Sequence, residues 1–437
     1  MSSPDWSGRE LHFIAIGGAG MSGLALICHA LGATVTGSDR AESSYLERVR
    51  AAGIEARLGH DPDAVPERAE VIVSTAIPAS NPELVRATER GQRILHRGEL
   101  LAEIAAGRRL IAVAGAHGKT TTAGMLAWIL AADGDNPFYL GGELPGLGPA
   151  GLATSADWGD GEWMVAEADE SDASFLELRP EVAVITNVEL DHHDRWASRA
   201  ELIEAFRRFA EPAAGLAMIA GPELDPIAGD QRILRYTGER PGPALELAVP
   251  GAHNLLNARA ALAAIELSGA ADVDGAAARL RTFPGMLRRL QRVGEADGAI
   301  VYDDYAHHPT EVAAALEALR TLAPTRLIAV FQPHLYSRTK ALAARFGAAL
   351  AAADEVGVLD VYAAREEPVD ELAGVSGLDV ARATADRAGG RPVWWLRDID
   401  TAAAALRGRL RDGDVLVTLG AGDVWKLADL LAEGGSA

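Results

Sequence analysis

The chain reads as an α/β protein of three domains built on mainly parallel sheets, and three observations lead there. Its 437 residues correspond to about three domains of roughly 150 residues each. Short β-rich runs alternate with amphipathic stretches along the whole length. Two glycine-rich loops each stand between an apolar strand and a helix, and the βαβ rhythm restarts twice, near residues 107 and 293. The expected domains are therefore 1–107, 108–292 and 293–437.

The first domain opens with a strand at His12–Ile16, a helix from Met21 to Leu31, and further strands at Thr34–Thr36 and Val71–Val73. Between the first strand and helix lies Gly17-Gly18-Ala19-Gly20-Met21-Ser22-Gly23, with Asp39 about twenty residues on, the spacing of a dinucleotide fingerprint. Glycines at a helix N-terminus suit any pyrophosphate, and a carboxylate after the second strand suits any ribose or base edge. A UDP-linked ligand fits this loop as well as NAD does.

The second domain begins with the apolar run from Leu110 to Ala114, which leads into Gly115-Ala116-His117-Gly118-Lys119-Thr120-Thr121-Thr122 and a helix to about Ala132. Backbone N–H groups of such a loop close on phosphate oxygens, Lys119 supplies charge, and the Thr120 hydroxyl suits Mg²⁺. Val113 stands where the standard pattern has its first glycine. Lysine is scarce here, with only Lys119, Lys340 and Lys426, which sharpens the reading. Strands at Trp163–Glu167 and Val182–Thr186 follow, each ending in polar side chains: Glu167-Ala168-Asp169-Glu170-Ser171-Asp172, then Thr186-Asn187-Val188-Glu189-Leu190-Asp191-His192-His193-Asp194. One carboxylate beside Thr120 would complete a cation site, and the second cluster could hold another divalent ion. The glycine-rich stretch from Gly141 to Gly161 reads as a surface excursion and Gly238–Pro243 as a turn. His253, Asn254 and Asn257 are apt for an adenine edge, and Arg288-Arg289 for phosphate charge.

The third domain is expected to place strands at Ile300–Tyr302, Arg326–Phe331 and Asp414–Leu419, with helices from Pro309 and Ser337. The loops Asp303-Asp304-Tyr305-Ala306-His307-His308 and Gln332-Pro333-His334-Leu335-Tyr336-Ser337-Arg338 follow two of those strands. They bring His, Tyr and Arg to the edge of a sheet that has no glycine phosphate loop in these connections.

Composition narrows the class. A formal net charge of -21 argues against a nucleic-acid surface, and apolar residues at 49% with charged ones at 24% fit a globular enzyme. No run approaches the ~20 apolar residues of a membrane span, and the polar, acidic start lacks the pattern of a secretory signal, so a cytoplasmic location without a membrane anchor is expected. The single cysteine, Cys28, excludes an internal disulfide and falls on the apolar face of the first helix, as an inert core thiol would.

Jointly, the two glycine loops, Glu167 to Phe175, Tyr305 to Glu311 and Phe331 to Thr339 resemble the ATP-dependent amide ligases of the Mur ligase family over essentially the whole chain. The resemblance implies a UDP-binding Rossmann-like domain, a central P-loop ATPase domain and a Rossmann-like C-terminal domain that closes on amino acid and ATP. It further implies that Gly17 to Gly23, with Asp39, bind UDP-N-acetylmuramate, and that Gly115, His117, Gly118, Lys119, Thr120 and Thr121 bind ATP. His253, Asn254 and Asn257 would serve the adenosine, Asp304 the ribose, and Arg288 or Arg289 the phosphates. Thr120, Glu167 and His192 would hold two Mg²⁺ ions, for which Mn²⁺ could substitute. Tyr305, His307, His334 and Arg338 would face L-alanine and the reacting carboxylate, with Lys119, His192, His307 and Arg338 as the catalytic set. The implied activity, in peptidoglycan precursor synthesis, joins L-alanine to the muramyl carboxylate through an acyl phosphate, in a monomer or weak homodimer. Two departures stand out: many relatives carry Gly-Arg-Arg-Phe-Asp where this chain has Leu287-Arg288-Arg289-Leu290-Gln291, and arginine where it has Leu335.

The sequence also admits three rival readings. A ligase that recycles a ready-made murein tripeptide shares the chemistry. An NAD-dependent oxidoreductase would explain the first loop and leave the P-loop unused, while a P-loop switch or binding module would leave the His-rich loops unused.

Overall fold

In a computed structural model, which describes residues 6–131, 136–190, 195–238, 245–364 and 366–434, the strands assemble into three sheets. The first holds β1 (Glu10–Ile14), β2 (Thr34–Asp39), β3 (Glu55–Leu58), β4 (Glu70–Val73) and β5 (Ile94–His96) in the order β3-β2-β1-β4-β5, with parallel pairing throughout. Its helices are α1 (Ala19–Ala30), α2 (Ser44–Ala51), α3 (Pro82–Glu89) and α4 (Arg97–Ala105). Ser43 caps α2 through the Leu46 N–H at 3.1 Å, and Asn81 caps α3 ahead of a proline at its first position. His96 and Glu99 form a reciprocal capping box on α4, which fixes where Arg97 begins the helix. Glu83 lies fully buried among these elements, and it is satisfied: its carboxylate accepts from Ser38 Oγ at 2.5 Å and the Asp61 N–H at 3.1 Å.

The second sheet holds β6 (Arg109–Ala114), β7 (Phe138–Leu144), β8 (Thr154–Asp157), β9 (Trp163–Glu167), β10 (Val182–Ile185), β11 (Gly215–Ile219) and β12 (Arg232–Tyr236), ordered β12-β11-β10-β6-β9-β7-β8. Helices α5 (Lys119–Ala131), α6 (Arg199–Ala210), α7 (Ala252–Ser268) and α8 (Val273–Leu280) accompany it. Only part of the expected surface excursion at Gly141–Gly161 is one. Its flanks pair as the antiparallel β7–β8 hairpin, because Leu144, Thr154, Ser155 and Ala156 are buried while Gly146, Gly148 and Gly151 serve the tip. The turn expected at Gly238–Pro243 lies mostly outside the described residues.

The first two sheets share one hydrophobic core, in which Phe13 and Leu24 join the same cluster as Ala112 and Met164. Helix α1 packs so closely on β8 that a Cβ on Gly23 would stand 3.2 Å from that of Ala156. These two domains accordingly form one compact unit, Met1–Ala248 with Leu255–Pro284. Cys28 is buried in this core, and burial pushes its thiol pKa up, as an inert thiol requires.

The second unit comprises Val249–Asn254 and Gly285–Ala437. Its sheet holds β13 (Gln291–Ala296), β14 (Ala299–Asp304), β15 (Leu327–Phe331), β16 (Glu355–Leu359), β17 (Val393–Arg397) and β18 (Val415–Leu419), ordered β13-β14-β18-β15-β16-β17, parallel except for β13–β14. Helices α9 (Pro309–Arg320), α10 (Tyr336–Leu350), α11 (Gly377–Ala385), α12 (Ile399–Leu406) and α13 (Trp425–Gly434) cover it, with a separate apolar cluster on each face. Since β14, β18, β15 and β16 run parallel, the loops after them emerge at one end of the sheet, where open α/β sheets bind ligands. Among the described residues no helix is long and apolar enough to cross a membrane.

Candidate active site

In the first unit the P-loop is built by backbone that only glycine adopts without strain. Gly115 has φ +135° and Gly118 φ +80°; a Cβ on Gly115 would overlap the Thr186 hydroxyl and stand 2.8 Å from the Asn187 carbonyl oxygen. The end of β10 braces the loop. Asn187 Oδ1 accepts from the His117 N–H at 3.0 Å, while Thr186 Oγ1 and Asn187 Nδ2 donate to the His117 carbonyl at 2.7 and 2.8 Å. The His117 ring meets Glu189 at 3.1 Å. Asn257 packs on Gly118, where a Cβ would overlap its Oδ1.

Lys119 opens α5 and donates to the Gly115 carbonyl at 2.7 Å and to Glu170 at 3.1 Å. Burial alone would lower its pKa, but the carboxylates of Glu170, Asp169 and Glu167 outweigh burial and raise it, so the side chain is firmly cationic. Thr120 Oγ1 donates to Glu167 Oε1 at 3.0 Å, and Glu167 Oε2 accepts from the Gly141 N–H at 2.7 Å. A hydroxyl and a carboxylate side by side at a P-loop form a hard-oxygen donor set, and it fits Mg²⁺. Thr121 is buried in the same turn. His192 falls within 191–194, outside the described residues.

Asp39 Oδ2 accepts from the Gly17 N–H at 2.9 Å, and Ser43 Oγ donates to the Gly17 carbonyl at 3.1 Å, so the first glycine loop is shaped by residues beyond it. Met21 and Ser22 turn into the core, with Ser22 Oγ donating to the Ala19 carbonyl at 3.1 Å. Gly18 caps α1 without a side-chain partner, leaving the loop itself to meet whatever lies at that helix end.

In the second unit both Asp304 oxygens already hold backbone donors, Leu290 N–H and Ala306 N–H, each at 2.7 Å. Burial pushes its pKa up to about 6, with Arg289 opposing. Arg288 donates to Asp303 at 3.1 Å and to the Gly420 carbonyl at 2.6 Å, and both Arg288 and Arg289 lie over the Tyr305 ring, at 4.9 and 5.1 Å. His253 is depressed by burial, and Asn254 donates to the Pro250 carbonyl at 2.7 Å. His307 stands 5.4 Å from Tyr305 and 6.3 Å from His334, ring centre to ring centre. Its Nδ1 faces two acceptors, the Tyr305 carbonyl at 3.1 Å and Glu311 at 3.3 Å, so the neutral ring carries its proton there and Nε2 is the acceptor. Burial lowers its pKa, Glu311 opposes that, and Arg338 adds to the lowering, which places Arg338 in the field of this imidazole.

The structure also brings in residues the motifs did not single out. Tyr362, after β16, stacks on His334 at 5.8 Å and 13°, and its N–H donates to the Pro333 carbonyl at 2.8 Å. Gly422 makes room for it, since a Cβ there would stand 2.7 Å from Tyr362 Cγ. The available signal was positional: Tyr362 follows a strand that neighbours β15. Arg97 is the other addition. Its guanidinium donates to Asp172 and Asp169 of the acidic cluster at 2.8 and 2.9 Å, and one arginine among many gave no warning of that.

Comparison with known proteins agrees with this architecture. Family descriptions match in three consecutive pieces: "Mur ligase family, catalytic domain" at residues 10–109, "Mur ligase middle domain" at 113–221 and "Mur ligase, glutamate ligase domain" at 288–422. The chain belongs to the Mur ligase family. A UDP-N-acetylmuramate--L-alanine ligase of Mycolicibacterium vanbaalenii is 44% identical over 97% of this chain and 96% of its own. The UDP-N-acetylmuramate-alanine ligase MurC of Thermotoga maritima superposes with a TM-score of 0.82 at 26% identity, covering 98% of both chains. A murein peptide ligase of Psychrobacter arcticus reaches 0.67 at 25% identity, covering 97% and 98%.

Proposed function

We propose that this chain is an ATP-dependent ligase that joins L-alanine to the carboxylate of UDP-N-acetylmuramate, releasing ADP and phosphate. The observation that carries the proposal is the near full-length match to relatives of that activity at 44% identity, together with the assembled Lys119–Thr120–Glu167 site. Domains 1–107, 108–292 and 293–437 divide the work between the UDP handle, ATP and the amino acid.

A carboxylate is a poor electrophile, and the reaction meets that by moving the γ-phosphoryl group of ATP to it. Lys119 offsets the charge of two approaching anions, and the P-loop N–H groups hold the donor phosphates. Thr120 and Glu167 would hold Mg²⁺, with a second ion at His192; the metal's contribution when bound is further neutralisation of phosphate charge. The neutral amine of L-alanine then attacks the acyl phosphate, and the tetrahedral intermediate expels phosphate to leave the amide. His307, neutral by burial and presenting Nε2, is suited to take the amine's proton, and Tyr305, His334 and Arg338 line the same loops.

Phosphate release with ATP, Mg²⁺ and UDP-N-acetylmuramate, measured against a panel of amino acids and the murein tripeptide, tests the assignment. Turnover with L-alanine is expected. Turnover with the tripeptide alone would make the chain a recycling ligase, and a nicotinamide-dependent absorbance change would favour an oxidoreductase.

A further inference from the structure

Arg97 occupies a position that neither glycine loop explains. It is the first residue of α4, in the first domain, yet its partners belong to the acidic cluster of the second: Nε and Nη2 donate to Asp172 at 3.2 and 2.8 Å, and Nη2 donates to Asp169 at 2.9 Å. The approach is tight, because Gly98 lies against Ser174 so closely that a Cβ on it would overlap the serine side chain. The same guanidinium reaches the first glycine loop on its other edge. A Cβ on Gly20 would stand 3.1 Å from Arg97 Nη1 and 2.8 Å from the Tyr139 hydroxyl, which donates to the Gly20 carbonyl at 3.2 Å. Arg97, Tyr139, Glu167 and Asp169 line one small pocket of about 10 Å³.

A planar guanidinium has two edges that can serve different partners, and here carboxylates hold one of them while the Tyr139 hydroxyl is a further, uncharged partner of the group. Nη1 stands beside Gly20, in the loop where an anionic ligand would lie along the N-terminus of α1. We propose that Arg97 is a further acceptor-binding residue, gripping the diphosphate of the UDP-linked substrate through Nη1 while Asp169 and Asp172 hold its other edge. This rests on the reading of the first glycine loop as the UDP site. The arrangement also ties that loop to the cluster that surrounds Lys119, so an occupied acceptor site and an ordered ATP site share one side chain.

The test is direct binding of UDP, UDP-N-acetylmuramate and ATP, each measured separately by calorimetry on the full chain, for wild type, Arg97→Lys and Asp172→Asn. Arg97→Lys keeps the charge and loses the fork, so affinity for UDP and for UDP-N-acetylmuramate is expected to fall about tenfold or more, with ATP affinity within about threefold of wild type. Asp172→Asn leaves the arginine but frees its anchor, and a loss of about threefold or more for both uridine ligands is expected; this variant carries the test if Arg97→Lys does not fold. Unchanged UDP binding in either folded variant, or equal loss of ATP and UDP, overturns the proposal. Loss confined to UDP-N-acetylmuramate would move the contact from the diphosphate to the carboxylate and overturns it as stated. If wild type binds no uridine nucleotide, the reading of the loop fails rather than the role of Arg97.

Discussion

Lys119 is the residue on which most of the proposed chemistry converges, and its surroundings explain both its charge and its vulnerability. It is half-buried against the buried Glu170, so Lys119→Ala would remove the proposed phosphate contact and also strand a carboxylate. Ligation is expected to fall by about 10³-fold or more, as measured by phosphate release, while calorimetric affinity for UDP-N-acetylmuramate stays within about twofold. Asp304 gives a pH signature. Its folded pKa, pushed up to about 6 from the ordinary 3.8, lets the folded chain keep a proton that the unfolded chain releases. Its contribution to stability is therefore present at the acid end of that window and is lost as pH rises through about 6. Asp304→Asn should remove that slope, a difference of about 3 kcal/mol across the window, read from urea unfolding at several pH values. Lys119, Thr120 and Glu167 were legible because strand, loop and helix follow one another in sequence. Tyr362, Gly422 and Arg97 were not, since each acts through a neighbour more than sixty residues away or on another strand.

At the level of elements, the P-loop turn makes a strong demand on one residue. Gly115→Ala forces a side chain into a positive φ and against the Asn187 backbone, so a loss of about 2 kcal/mol or more is expected in thermal or urea unfolding, with ATP affinity falling in parallel. Helix α1 is tested by Cys28. Because the thiol is buried in the core behind this helix, a thiol reagent should label it only at the rate of unfolding, and rapid labelling of native protein would contradict the packing. The strands at Trp163 and Val182 and the helix at Pro309 were readable from apolar runs and turn signals. β3 was not, as a short strand with one buried residue in four shows no period. The β7–β8 hairpin was hidden because its glycines suggested a loop, although its buried flanks make it part of the sheet.

Taken as a whole molecule, the chain sets two glycine loops in one unit with a common core, and the imidazole and tyrosine loops in a second. The three-domain plan was visible in the restarting βαβ rhythm, whereas the merging of the first two cores was not, because contacts such as Gly23 on Ala156 join residues far apart in sequence. The Leu335 departure gains a structural aspect: this residue has φ +69°, its N–H donates to the Tyr362 carbonyl at 3.0 Å, and its carbonyl accepts from Thr339 Oγ1 at 2.7 Å. The central claim is that ATP held at the P-loop passes its γ-phosphoryl group to the acceptor carboxylate, with ADP leaving. With both carboxylate oxygens of UDP-N-acetylmuramate labelled with ¹⁸O, turnover with ATP and L-alanine should deliver one labelled oxygen into each inorganic phosphate, detected by mass spectrometry, and leave the other in the amide. Phosphate free of label, formed while the amide accumulates, would contradict the account.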